Sequence, residues 1–182
     1  MEKRELVKNL LPVLIAVAAL IVLANMSATS PVTNSGEGIS YHAYVCVYKN
    51  SQLIECGHNL FTNLGKNMTR DLLGQGIGAK ITYVGLANYT GSGMQASDTS
   101  LTGEWGTCGL GRQEGTYSTT GTSPGNWTIE KTFTSTCNNA IVNATGLFNS
   151  STGSTLFAED TFTSTTLQNG DSITVRWYIW VT

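Results

Sequence analysis

From Tyr41 onward the chain alternates apolar and polar residues in short runs separated by Gly, Asn, Asp and Ser. The runs predict strands over Tyr41–Tyr48, Leu53–Cys56, Lys80–Ala87, Glu114–Thr119, Trp127–Thr136, Ala140–Phe148, Thr155–Thr163 and Ser172–Val181. In the last strand Ile173, Val175, Trp177, Ile179 and Val181 share one face at period two, and Thr174, Arg176, Tyr178 and Trp180 share the other. The first set suits a core. The second is aromatic and cationic, which is unusual for a plain solvent face. A helix is predicted over Asn59–Gly74: Phe61, Leu64, Met68 and Leu72 recur at helical spacing, Thr62 or Asn63 can cap the start, and Gly74 can close the end. On this pattern the helix can cover the face that carries Arg176, Tyr178 and Trp180. Residues 88–126 read as loop-rich, with the Glu114–Thr119 strand inside them. Regular short strands with turns between them predict an all-β fold, a jelly-roll or immunoglobulin-like β-sandwich with one short helix over residues 41–182.

Upstream the pattern changes. Lys3, Arg4 and Lys8 stand against Glu2 and Glu5, and Leu10–Ala24 follows as an uncharged apolar run. A positive flank followed by an apolar run is the pattern of an export signal or signal-anchor. Residues 1–28 are therefore expected to form a hydrophobic helix, with residues 10–28 meeting a membrane. Ala24-Asn25-Met26 and Met26-Ser27-Ala28 each place Met at a position flanking a cut, which favours an uncleaved anchor. Residues 29–40, with Pro31, Gly36 and Gly38, read as a flexible linker. They are too polar to donate a strand to a neighbour; Ile39–Tyr48 would serve better.

Composition narrows the class. Charged residues make up 12% of the chain, about half the usual share, while 26 Thr and 16 Ser supply the polar surface. The net charge of −2 gives no phosphate-binding surface, so nucleic acid is not an expected partner. No Gly-x-Ser-x-Gly stretch accompanies His42 and His58, the two histidines. Glu159 and Asp160 are adjacent and point to opposite faces of a strand. The chain reads as a non-enzyme with no cofactor. Asp98, Glu104 and Glu114 read as solvated loop acids, with a calcium ion as the sharper alternative.

The four cysteines, Cys46, Cys56, Cys108 and Cys137, are an even set in a chain expected to be exported. Three pairings are open. A three-residue loop centred on Ser51 would set Cys46 opposite Cys56, which favours Cys46–Cys56 and Cys108–Cys137. A zinc site from Cys46, Cys56, His58 and His42 is the rival, although zinc sites usually show paired short spacings. Glycosylation sequons stand at Asn67, Asn88, Asn126, Asn143 and Asn149; that at Asn25 lies too close to the apolar run to be counted on.

Several stretches carry a resemblance. These are Asn59-Leu60-Phe61-Thr62-Asn63-Leu64-Gly65 with Arg70-Asp71-Leu72-Leu73-Gly74, Ile81-Thr82-Tyr83-Val84-Gly85, and Ser97-Asp98-Thr99-Ser100-Leu101 with Glu104. Further on come Gly146-Leu147-Phe148-Asn149, Leu156-Phe157-Ala158-Glu159-Asp160-Thr161-Phe162 and Gly170-Asp171-Ser172. Together, over residues 57–181, they resemble the small β-sandwich modules of phage and archaeal-virus tail fibres. Leu10-Leu11-Pro12-Val13 and the apolar run after it resemble the start of archaeal type IV pilins. The resemblances imply an extracellular or envelope structural protein, a filament subunit or virion component that associates with copies of itself. An adhesin or spike head that docks a glycan or receptor, through the 88–126 loops or the last strand, is the alternative. Arg176, Tyr178 and Trp180 are the expected interface residues.

Overall fold

The computed structural model describes residues 40–119 and 124–182. The readings of the anchor and of the linker up to residue 39 lie outside the described residues. Among the described residues no helix is long and apolar enough to cross a membrane.

Among the described residues ten strands and one helix follow in order: β1 Tyr41–Lys49, β2 Gln52–His58, β3 Leu60–Phe61, α1 Asn63–Gln75, β4 Tyr83–Ala87, β5 Gln113–Glu114, β6 Thr116–Thr119, β7 Asn126–Thr134, β8 Ala140–Phe148, β9 Leu156–Leu167 and β10 Ser172–Val181. They form two five-stranded antiparallel sheets, ordered β2-β1-β10-β7-β6 and β3-β9-β8-β4-β5. The described residues are all-β with one short helix, as the alternation predicts.

β10 sits at the centre of the first sheet, paired with β1 on one side and β7 on the other. Its apolar face supplies Ile173, Val175, Trp177 and Ile179 to the core, where they meet Val45, Val47, Ile129, Phe133, Val84, Leu86, Val142 and Leu147. Val181, expected on that face, is 38% exposed at the strand's end. The chain passes between sheets at Gly115, whose N–H donates to the Thr82 carbonyl at 2.7 Å. At one edge β2 meets β9: the Glu55 carboxylate accepts from both the backbone N–H and the hydroxyl of Thr163.

The helix begins later than its periodicity suggests. Leu60 and Phe61 pair with β9 instead, and Thr62 is the cap, its hydroxyl accepting from Gly65 N–H at 2.9 Å. That hydroxyl also reaches the carbonyls of Leu156 and Phe157, so the cap fixes α1 to β9. Gly65 permits the contact: a Cβ there would come within 2.1 Å of the Phe157 carbonyl oxygen. At the other end Gly76, with φ of 65°, closes the helix in a left-handed cap, two residues beyond Gly74. Leu72 and Leu73 stay exposed.

The β1–β2 turn is tighter than expected. Asn50 and Ser51 form a two-residue loop with φ of 47° and 67°. A register shift between Val47 and Tyr48 then adds the residue that sets Cys46 opposite Cys56.

Candidate functional site

The outer face of the first sheet is built by register. His42 lies beside Trp180, Tyr44 beside Tyr178, Cys46 beside Arg176 and Tyr48 beside Thr174. On the other flank Asn126, Thr128, Glu130 and Thr132 face the same β10 residues. Two cross-strand pairs stack: Tyr44 on Tyr178 at 4.6 Å between ring centroids, and His42 on Trp180 at 5.3 Å. Arg176 continues the row. Its Nε donates to the Glu130 carboxylate and its Nη1 to the Tyr178 hydroxyl at 3.1 Å. The Tyr178 hydroxyl first, and then Glu130, hold the guanidinium firmly charged. Its carbon lies 5.9 Å from the rings of both Tyr48 and Tyr178. The three residues read as an interface from β10 alone thus lie in one row, and β1 doubles that row with His42, Tyr44 and Tyr48. The signal for the second row was the alternation His42, Tyr44, Cys46, Tyr48, whose pairing with β10 no local pattern reveals.

The helix does not cover this face. α1 packs on β9 through Thr62 and Gly65, in the other sheet. The expectation of a second core layer beneath α1 is therefore corrected. Arg176, Tyr178 and Trp180 remain half-buried, by one another and by their strand neighbours.

Both preferred cysteine pairings form: Cys46–Cys56 across the first hairpin and Cys108–Cys137 between the loop before β5 and the segment after β7. Cys46 and Cys56 are thereby spent, and the zinc reading that used them with His42 and His58 falls away. Two disulfides suit an oxidising compartment.

The loop-rich stretch after β4 is not a free loop. Residues 88–112 lie over the second sheet as a third layer. Leu101, Tyr89 and Met94 pack with Ala87, Ala144, Phe148 and Leu156 in a small cluster on the face opposite the main core. Leu110 reaches into the main core and is fully buried. Trp105 Nε1 donates to the Ile141 carbonyl at 3.0 Å. Glu104, read as a solvated acid, accepts two 2.7 Å bonds from Arg112. No local pattern in the chain points to Arg112. Asp98 accepts from Gln95 N–H at 2.9 Å, and Glu114 from the Thr82 hydroxyl at 3.3 Å. Under this layer Glu159 is 1% exposed. Burial first, then neighbouring Asp98, raises its pKa to about 8. Burial likewise raises Asp160 to about 7. No cluster of metal-ligating side chains occurs among the described residues.

The sequons divide by environment. Asn67 is exposed on α1. Asn88 and Asn126 are half-buried, and Asn149 carries a buried Oδ1. Asn143 is half-buried against the segment after β4, its amide donating to the Tyr89 carbonyl and accepting from the Tyr89 N–H.

No protein-family model matches this chain, and neither does any curated protein.

Proposed function

We propose that the chain is an extracellular structural protein, a subunit of a surface filament or a virion surface component, that assembles with copies of itself through the outer face of its first sheet. The observation that carries this reading is the double row of aromatics on β1 and β10, which α1 does not cover among the described residues, with Arg176 already neutralised by Glu130. Aromatic and arginine side chains are the residues protein interfaces favour at their centres. An internally neutralised row lets two copies meet without charge repulsion. The disulfides support an exported location, and residues 10–28 would hold the subunit at the membrane it crosses. The two antiparallel sheets support the sandwich part of this reading. In this reading the protein has no catalytic role.

Trp180→Ser tests it. Electron microscopy of purified wild-type protein should show a regular polymer, and the variant should stay monomeric with its thermal transition intact. A wild-type protein that remains monomeric at high concentration would refute the assembly reading.

A further inference from the structure

An apolar groove lies beside α1, where β1 and β7 begin and β10 ends. Leu72 and Leu73 of α1, with Ile77 after it, line one side; Trp127, Ile179 and Val181 line the other. Its volume is about 530 Å³. Leu72, Leu73 and Ile77 are 48%, 67% and 60% exposed. Of the seven exposed large apolar residues among the described ones, four line this groove, Val181 being the fourth. Such clustering, unlike scattered surface leucines, marks a surface that meets something apolar. The helix cap fixes it in place: Gly76 N–H donates to the Leu72 carbonyl and Ile77 N–H to the Asp71 carbonyl.

Charge and chain entry say what that is. Asp71 is the one charged residue in the lining, and the Arg70 guanidinium already pairs with it at 2.7 Å. Lys80, between the lining residues Ala79 and Ile81, is exposed. The groove thus has a cation at its rim and no uncompensated carboxylate in its wall. The chain enters the domain at the same place. Ser40 exchanges backbone bonds with Thr182, and the next residue, Tyr41, pairs with Val181 and lines the groove. Residues 29–39 alone separate this point from the segment read as a membrane anchor. Eleven residues reach at most about 40 Å, so in that reading the groove lies within a short tether of the bilayer.

We propose that this groove docks on the lipid surface of the membrane that holds the protein, with Leu72, Leu73 and Ile77 entering the acyl boundary and Lys80 meeting the headgroup phosphates. Apolar side chains on one face of a helix bury several ångströms into that boundary, and a lysine beside them adds attraction to anionic lipid. The proposal rests on the anchor reading of residues 10–28. It leaves the Tyr44–Tyr178 row free for assembly, because Ile179 and Val181 alternate to the opposite side of β10. A second copy of the chain is the competing occupant.

The test puts one nitroxide spin label at a time on full-length protein in phosphatidylcholine–phosphatidylglycerol vesicles, through Leu73→Cys, Ile77→Cys, Leu53→Cys and Val17→Cys. Collision with oxygen, which concentrates in lipid, is compared with collision with a water-soluble nickel chelate. Leu53, exposed beside Tyr48 at the other end of β1, is the wet control. Val17 reports on the anchor by itself. The labels at Leu73 and Ile77 should favour oxygen several-fold more than the label at Leu53. Both positions are exposed, so either label serves if the other variant misfolds. A label at Val17 in lipid, with those at Leu73 and Ile77 as wet as the control, overturns the docking and leaves the anchor standing. A label at Val17 in water overturns both. Labels at Leu73 and Ile77 shielded from both reagents, with spin–spin broadening between copies, overturn the docking in favour of a protein partner.

Discussion

Arg112 lies flat on Phe148, its guanidinium carbon 3.5 Å from the ring centroid, while its Nε and Nη2 both donate to Glu104. Its Nη1 reaches the carbonyls of Ser150 and Gly153 and the hydroxyl of Thr155. One side chain, 6% exposed, thus ties the third layer to the β8–β9 loop. Removing a member of a fully buried pair typically costs about 3–5 kcal/mol, and with Glu104 22% exposed this pair belongs at the low end of that range. Arg112→Ala should lower stability to urea by about 3 kcal/mol and open residues 88–112 to limited proteolysis. Arg112→Lys should rescue little, because a lysine has neither the planar stack on Phe148 nor the forked bond to Glu104. Unchanged proteolysis of the loop in Arg112→Ala would show that the layer is held by its apolar contacts alone.

Glu159 gives the domain an inverted response to pH. Its pKa rises from 4.5 in a free carboxyl to about 8 in the fold. The folded state therefore keeps a proton that the unfolded chain releases. Stability is fully present below pH 4.5 and falls as pH rises through about 8, on the order of a few kcal/mol. Asp160, raised to about 7, acts in the same direction. Asp171 acts oppositely. Bonds from Asn50, Gln168 and Lys49 lower its pKa to about 2, so its contribution is lost only as pH falls toward 2. The domain should be more stable at pH 5 than at pH 8.5 in urea unfolding, and Glu159→Gln should flatten that slope. A wild-type profile that rises from pH 5 to 8.5 would count against the buried carboxyl.

Much of this architecture is legible in residue order, and the gaps have physical causes. Period-two alternation located β1, β7 and β10 because each has one face in the core and one outside. The strand read over Lys80–Ala87 is there as β4 but starts at Tyr83, and with Val84 and Leu86 in the main core and Ala87 in the second cluster it is buried on both sides. The third layer was invisible because it is irregular. Leu101, Trp105 and Leu110 are apolar anchors at no fixed period, and their meaning depends on contacts made far along the chain. The helix start was misplaced because Phe61 fits the helical stripe as well as a bridge to β9. The candidate face was half legible: β10 announced its own aromatic row, but register alone placed His42, Tyr44 and Tyr48 beside it.

The disulfides should differ in what they hold. Cys46–Cys56 closes a separation of 10 residues within a hairpin that also has its own ladder. Cys108–Cys137 closes 29 residues that include irregular chain. On chain entropy the first contributes about 2.7 kcal/mol and the second about 3.5 kcal/mol. Double Ala variants of each pair should fall in that order in thermal and urea unfolding. Loss of the second should also increase cleavage between residues 104 and 115, where Gly109 packs against the Thr134 carbonyl. Equal losses would mean that the loop, like the hairpin, is held in place by its other contacts.

Glycan occupancy follows the geometry of the Asn side chain. Attachment at Nδ2 replaces an amide hydrogen and needs open space beyond it. At Asn143 that space is taken up: its Nδ2 donates to the Tyr89 carbonyl at 2.8 Å, and its Oδ1 accepts from the Tyr89 N–H at 2.6 Å. Thr145, the hydroxyl residue of that sequon, is fully buried and bonded to the Gly85 carbonyl. Asn67 is the reverse, exposed on α1 with only a 3.3 Å contact from Arg70 to its Oδ1. In a host that glycosylates asparagine, peptide mass spectrometry of the exported protein should find Asn67 modified and Asn143 bare. Asn67→Gln should remove glycan mass and leave the unfolding transition within about 0.5 kcal/mol, as for a surface substitution. Asn143→Ala removes the side chain that bridges both backbone groups of Tyr89, and should cost about 1–3 kcal/mol. A glycan at Asn143 in folded protein would show that the third layer does not seat on β8 through Tyr89.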